Sequence, residues 1–80
     1  MKNKEIDWNQ EASSILKAQL TRQKVKYQDL AKMLNDINVE ENQNTIATKL
    51  SRGSFSFSFF LQCMYVLKVD IVDLHLRDGE

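Results

Sequence analysis

Eighty residues carry eleven basic and eleven acidic side chains, one histidine, one cysteine, two glycines and no proline. That length holds one domain with a single small core, which excludes a separate substrate-binding domain. The lack of proline and scarcity of glycine leave few of the tight turns that hairpin-rich sheets need, so helices are favoured, and a formal charge of zero argues against a generally basic coat protein.

The first periodic segment follows Asp7, where Asp7 and Gln10 have the spacing of a capping box. Its apolar stripe of Trp8, Ala12, Ile15, Leu16 and Leu20 predicts a one-faced helix running to about Gln23. A second, shorter helix is expected over Val25, Tyr27, Leu30, Ala31 and Leu34, with a poor N-cap because Lys26 has no acceptor to offer. The stretch from Asn35 to Asn42 is rich in turn formers and reads as a loop pinned to the core by Ile37 and Val39. A third helix fits TIATKLSR, with Ile46, Ala47 and Leu50 inward and Gly53 as its left-handed terminator.

In SFSFSFFLQC the phenylalanines at 55, 57 and 59 alternate with serines, as in a strand. The alternation then fails: positions 57, 60, 61, 64 and 67 are all apolar, Ser56 supplies an N-cap, and a fourth helix is predicted. Phe59, Cys63 and Val66 occupy its second face and are a candidate dimer seam. A short fifth helix is expected from Asp70, burying Ile71, Val72 and Leu74. Residues 1–80 are thus read as one all-α domain, a compact bundle of about five short helices, with 1–6 and 77–80 frayed.

The apolar fraction of 42% is ordinary for a folded chain. Cys63 stands alone and forms no intrachain disulfide, the start MKNKEIDW has no apolar h-region, and no apolar run approaches ~18 residues. A bacterial-style cytoplasmic domain without a membrane segment is the expectation. Catalysis has little to work with. His75 is the single imidazole and lies near a terminus. Cys63 sits among Phe, Leu and Met, where a thiol behaves as a small hydrophobe. One Cys and one His do not build a zinc site, no glycine-rich phosphate loop occurs, and the acidic pairs Glu40/Glu41 and Asp70/Asp73 read as helix-start carboxylates. No enzymatic activity, cofactor, metal or small-molecule substrate is expected.

Charge is unevenly spread. Residues 1–16 sum to minus one and residues 53–80 to minus two, whereas residues 17–52 hold Lys17, Arg22, Lys24, Lys26, Lys32, Lys49 and Arg52 against Asp29, Asp36, Glu40 and Glu41, for plus three. The positive third covers the second and third helices, where phosphates would be met. Equally, Arg22, Lys24 and Lys26 are the cations that solvate a helix end and complement its dipole.

From Ile15 to Leu74 the chain resembles the helix-turn-helix domains of the phage-repressor and Cro superfamily. The resemblance is carried by Val25 before Leu30 and Ala31, by Arg52 and Gly53 closing the third helix, and by the series Ser56, Leu67, Lys68, Val69, Asp70, Ile71 and Leu74. More closely, Trp8 to Leu20, Tyr27 to Leu34 and Ile46 to Gln62 resemble a small bacterial domain family with no assigned function. The chain departs from the superfamily in a longer interval from Leu30 to Gly53, which lengthens the turn, in Lys26 for the usual hydroxyl cap, in Tyr27 for a phosphate-binding glutamine, and in Asn35 for the turn glycine.

The resemblance implies a small non-enzymatic module, a transcriptional regulator in class, that reads double-stranded DNA with its third helix. Asn44, Thr45, Thr48 and Lys49 would face the bases, and Lys26, Tyr27, Gln28 and Arg52 would hold phosphates. A single copy of zero net charge would bind weakly, so a homodimer joined at Phe59, Cys63 and Val66 is expected with it. The alternative is a protein-interaction or oligomerisation module that has the repressor-like fold and does not bind DNA.

Overall fold

The computed structural model describes residues 5–74, and within them lie four α-helices and no strand: α1 (Trp8–Gln23), α2 (Tyr27–Asn35), α3 (Gln43–Arg52) and α4 (Phe57–Val66). Each start has a local cause. Asp7, in extended backbone, accepts from the Gln10 N–H at 3.1 Å and opens α1. Lys26 offers α2 no side-chain acceptor, as expected; instead the Asp29 carboxylate reaches back to accept from the Lys26 N–H at 3.2 Å. Asn42 and Thr45 form a reciprocal pair at 2.9 Å each way, which starts α3 two residues before the expected TIATKLSR segment. Ser56 accepts from the Phe59 N–H at 3.0 Å and commits the phenylalanine-rich segment to helix.

The helices close on one core. Leu16 and Leu20 of α1, Leu30, Ala31 and Leu34 of α2, and Ile46 and Leu50 of α3 meet Phe59, Cys63 and Met64 of α4, with Leu67 just beyond it. Ile37 and Val39 of the loop pack on its edge, as their isolated positions suggested. Trp8 does not join: the indole is 58 % exposed, and the buried residues of α1 are Ser13, Leu16 and Leu20. Ser13 is buried instead. Its hydroxyl donates to the Leu50 carbonyl in the last turn of α3, satisfying an oxygen with no partner inside its own helix. The Gln23 side-chain amide likewise donates to the Leu67 carbonyl at 3.0 Å, tying the end of α1 to the end of α4.

Helix α4 is rotated from expectation: Met64 and Leu67 are buried as expected, but Phe57 and Leu61 are not. Phe59 and Cys63 point into the core, while Phe57, Leu61 and Tyr65, one turn apart in succession, are exposed. A dimer seam built on Phe59, Cys63 and Val66 is therefore ruled out as a surface: two of its three members are already covered by this chain, and only Val66 is half-buried. Apolar residues surround α4, so periodicity did not distinguish its two sides.

Three left-handed residues other than glycine end the other elements. Lys24 (φ 59°), Asn38 (φ 65°) and Lys68 (φ 61°) are each followed by a valine whose N–H bonds the carbonyl five residues back: Val25 to Leu20, Val39 to Leu34 and Val69 to Met64, all at 2.9 Å. This is the Schellman closure, with the half-buried valine as its apolar contact. The expectation that Asn35 replaces a turn glycine is corrected accordingly. Asn35 is the last residue of α2, its side-chain oxygen accepts from the Glu41 N–H at 3.2 Å, and the left-handed turn falls at Asn38. Because a side chain in this region is strained, Lys68→Gly should stabilise the fold by about 0.5–1 kcal/mol, read as a higher midpoint in urea.

No fifth helix forms between Val69 and Leu74. The left-handed Lys68 turns the chain back on the core, where Val69 and Val72 pack, and Ile71 and Leu74 are exposed with no helical face to share. His75, residues 77–80 and most of the segment 1–6 lie outside the described residues.

Candidate nucleic-acid interface

Helix α3 buries Ile46 and Leu50 and leaves Asn44, Thr45, Thr48 and Arg52 on its exposed side. Asn44 and Thr48 lie one turn apart, so their amide and hydroxyl present together. Thr45 is also exposed, but its hydroxyl is occupied: it serves the cap with Asn42 and donates to the Glu41 carboxylate at 2.7 Å.

Lys49 sits differently from the other base-facing candidates. Its ammonium forms an ion pair with Glu41 and lies 4.5 Å from the centre of the Phe59 ring. The Glu41 side chain is only 5 % exposed against 39 % for Lys49. Glu41 is thus a nearly buried carboxylate, held by Thr45 and Lys49 beside the core, rather than a solvated helix-start charge. Sequence reading missed the pair because its members are eight positions apart across a loop and a helix, a separation that matches no helical or strand period.

The same cluster borders Cys63. Burial pushes its thiol up from 9.0 to about 12, the nearby Glu41 carboxylate pushes in the same direction, and Lys49 partly opposes them. The thiol therefore stays protonated and poorly nucleophilic at neutral pH. Alkylation of the folded domain at pH 8 should be slower by orders of magnitude than in urea, as mass spectrometry would show. Rapid labelling under native conditions would contradict the burial of this face of α4. The sign of the shift also sets a pH dependence: above pH 9 the unfolded chain releases the proton that the fold retains, so stability falls as pH climbs towards 12.

At the start of α2, Lys26 and Gln28 are exposed, and Tyr27 is half-buried with its ring against the core. Lys26 and Tyr27 line an open cleft of about 500 Å³ at the corner between α1 and α2. Lys17, Leu20, Thr21, Lys24 and Val25 line it as well. Of these residues the sequence pattern points only to Lys26 and Tyr27. The spacing of Lys17 and Thr21 on α1 is legible, but only the turn at Lys24 puts them on the same cleft as Lys26. Gln28 and Arg52 are exposed and do not line the cleft.

Among the described residues there is no group of three His, Cys, Asp or Glu side chains placed to hold a metal ion, and no helix is long and apolar enough to cross a membrane. No curated protein and no solved structure matches the chain. One family model does, over residues 8–72, which begins with the first residue of α1, takes in all four helices and ends at Val72 on the edge of the core. The chain therefore belongs to the DUF6471 family, a domain of unknown function.

Proposed function

We propose that the domain binds duplex DNA, with α2, the lengthened turn 36–42 and α3 acting as a helix-turn-helix in the manner of the repressor-like domains it resembles. The observation that carries this reading is the exposed polar side of α3, where Asn44, Thr48 and Arg52 stand clear of the core contacts that hold Ile46 and Leu50. Amide and hydroxyl groups at that spacing suit base edges, and Arg52, with Lys26, Tyr27 and Gln28, suits phosphates. Lys49 supports the helix from within through Glu41 and contributes charge rather than a free base contact.

The test is binding to mixed-sequence duplex across a salt series. Affinity should fall linearly with log salt, and Arg52→Glu should weaken binding and flatten the slope. Arg52 is exposed at the end of α3, so the substitution leaves folding intact. A folded domain with no detectable binding at low salt overturns the proposal.

A second reading, a protein-interaction or self-association module, is favoured by one specific observation. The run from Gly53 to Leu67 contains no charged residue, and its outward side shows Phe57, Leu61 and Tyr65, with the Phe57 and Phe60 rings stacked at 6.1 Å between centres. Apolar patches of this kind mark contact surfaces. This reading predicts a complex, seen by sedimentation, that survives Arg52→Glu and is broken by Tyr65→Glu.

A further inference from the structure

We infer that the cleft between the end of α1 and the start of α2 is a phosphate-docking site, and that its occupant is the backbone of the bound nucleic acid. The inference rests on the DNA-binding reading and extends its phosphate contacts from α2 onto α1. Lys17, Lys24 and Lys26 all line the cleft, and none of them is ion-paired with a carboxylate among the described residues. Three cationic side chains on one hollow give it a positive potential, which a dianionic or polyanionic group would neutralise. Thr21 and Tyr27, each with a hydroxyl, also line the cleft, as do the apolar Leu20 and Val25, and no acidic residue is among the lining residues.

The geometry depends on the left-handed turn. Lys17 and Thr21 lie one turn apart on α1; the Schellman closure at Lys24 then turns the chain so that Lys24, Lys26 and Tyr27 line the same cleft. The Lys26 N–H is not the attractive group, since it is already bonded to Asp29. The lysine side chains are. This arrangement separates function from folding in an unusual way. Lys24→Gly relieves a left-handed lysine and should raise Tm, as Lys68→Gly does at the equivalent turn after α4, yet only the first of these removes a cleft cation.

The experiment follows backbone amide signals by NMR while mixed-sequence duplex, or inorganic pyrophosphate, is added, and measures duplex affinity against salt for the wild type, Lys68→Gly and the double variant Lys17→Ser/Lys24→Gly. The expected result is that both probes move the amides of residues 21–27, and that the double variant stays folded while the slope of log affinity against log salt falls by about two. Lys68→Gly should leave the slope unchanged. Duplex binding with an unaltered slope in the double variant overturns the cleft and leaves the DNA reading standing. Pyrophosphate shifts without any duplex binding keep a phosphate site but overturn the backbone as its occupant, together with the DNA reading. No shift with either probe overturns both.

Discussion

Gly53→Ala is expected to destabilise the domain by about 3 kcal/mol or more, enough to leave a large fraction unfolded at ambient temperature. Two independent effects act at this position. The backbone is left-handed at φ 72°, which an L side chain rarely adopts, and a Cβ placed there would lie 2.1 Å from the Asn9 carbonyl oxygen and 2.9 Å from the Asn9 Cβ. The obstacle is backbone of α1, which itself is anchored to α3 by the Ser13 hydroxyl on the Leu50 carbonyl, so neither side gives way easily. Stability of a chain this size is of the order of 4–12 kcal/mol, so the loss consumes a large share of it. Urea denaturation followed by circular dichroism reads the effect, with Ser51→Ala, at an exposed position in the last turn of α3, as the control within about 0.5 kcal/mol of wild type. A loss below about 1 kcal/mol for Gly53→Ala would show that α1 and α3 do not approach this closely.

Phe59→Glu and Tyr65→Glu should behave oppositely, although both introduce one acid into the same helix. Phe59 is 3 % exposed, its ring meets Phe55 edge-on at 5.6 Å, and the Lys49 ammonium lies over it. Removing a buried phenylalanine costs about 3–5 kcal/mol, and a carboxylate in its place would be desolvated in the core, so the variant should not fold. Tyr65 is 72 % exposed, and its replacement should change stability by no more than about 0.5 kcal/mol. Melting curves of the two variants therefore report which side of α4 faces inward. A folded Phe59→Glu chain, or an unfolded Tyr65→Glu chain, would reverse the assignment. Only Tyr65→Glu is then useful for asking whether the exposed stripe mediates association.

The candidate interface was partly legible beforehand. Asn44, Thr48 and Arg52 are exposed because Ile46 and Leu50 set the inward side of α3, and that spacing is visible in the chain itself. Lys49 follows the same wheel to an intermediate position, where its long stem lets the ammonium turn back to Glu41. Nothing in periodicity announces such a pair, since it depends on the path of the loop after Asn38. The contribution of Lys17 and Lys24 to the cleft is not legible for a related reason: only the turn after α1 puts them on one hollow with Lys26.

Local chemistry determined most of the secondary structure. Asp7, Asn42 and Ser56 open their helices by accepting backbone N–H groups, and Gly53 closes α3, because these effects operate within three or four residues and need no distant partner. Scarcity of glycine did not mean scarcity of left-handed turns. Lys24, Asn38 and Lys68 take that conformation because the valine after each gains burial in the core, which offsets the local strain, and that gain exists only once the helices have assembled. The rotation of α4 and the loss of a fifth helix have the same origin. Where apolar residues surround a helix, or where Ile71 and Leu74 have nothing to cover them, the local pattern allows several outcomes, and tertiary contact with α1, α2 and α3 selects the one that buries Phe59, Cys63, Met64 and Leu67 together.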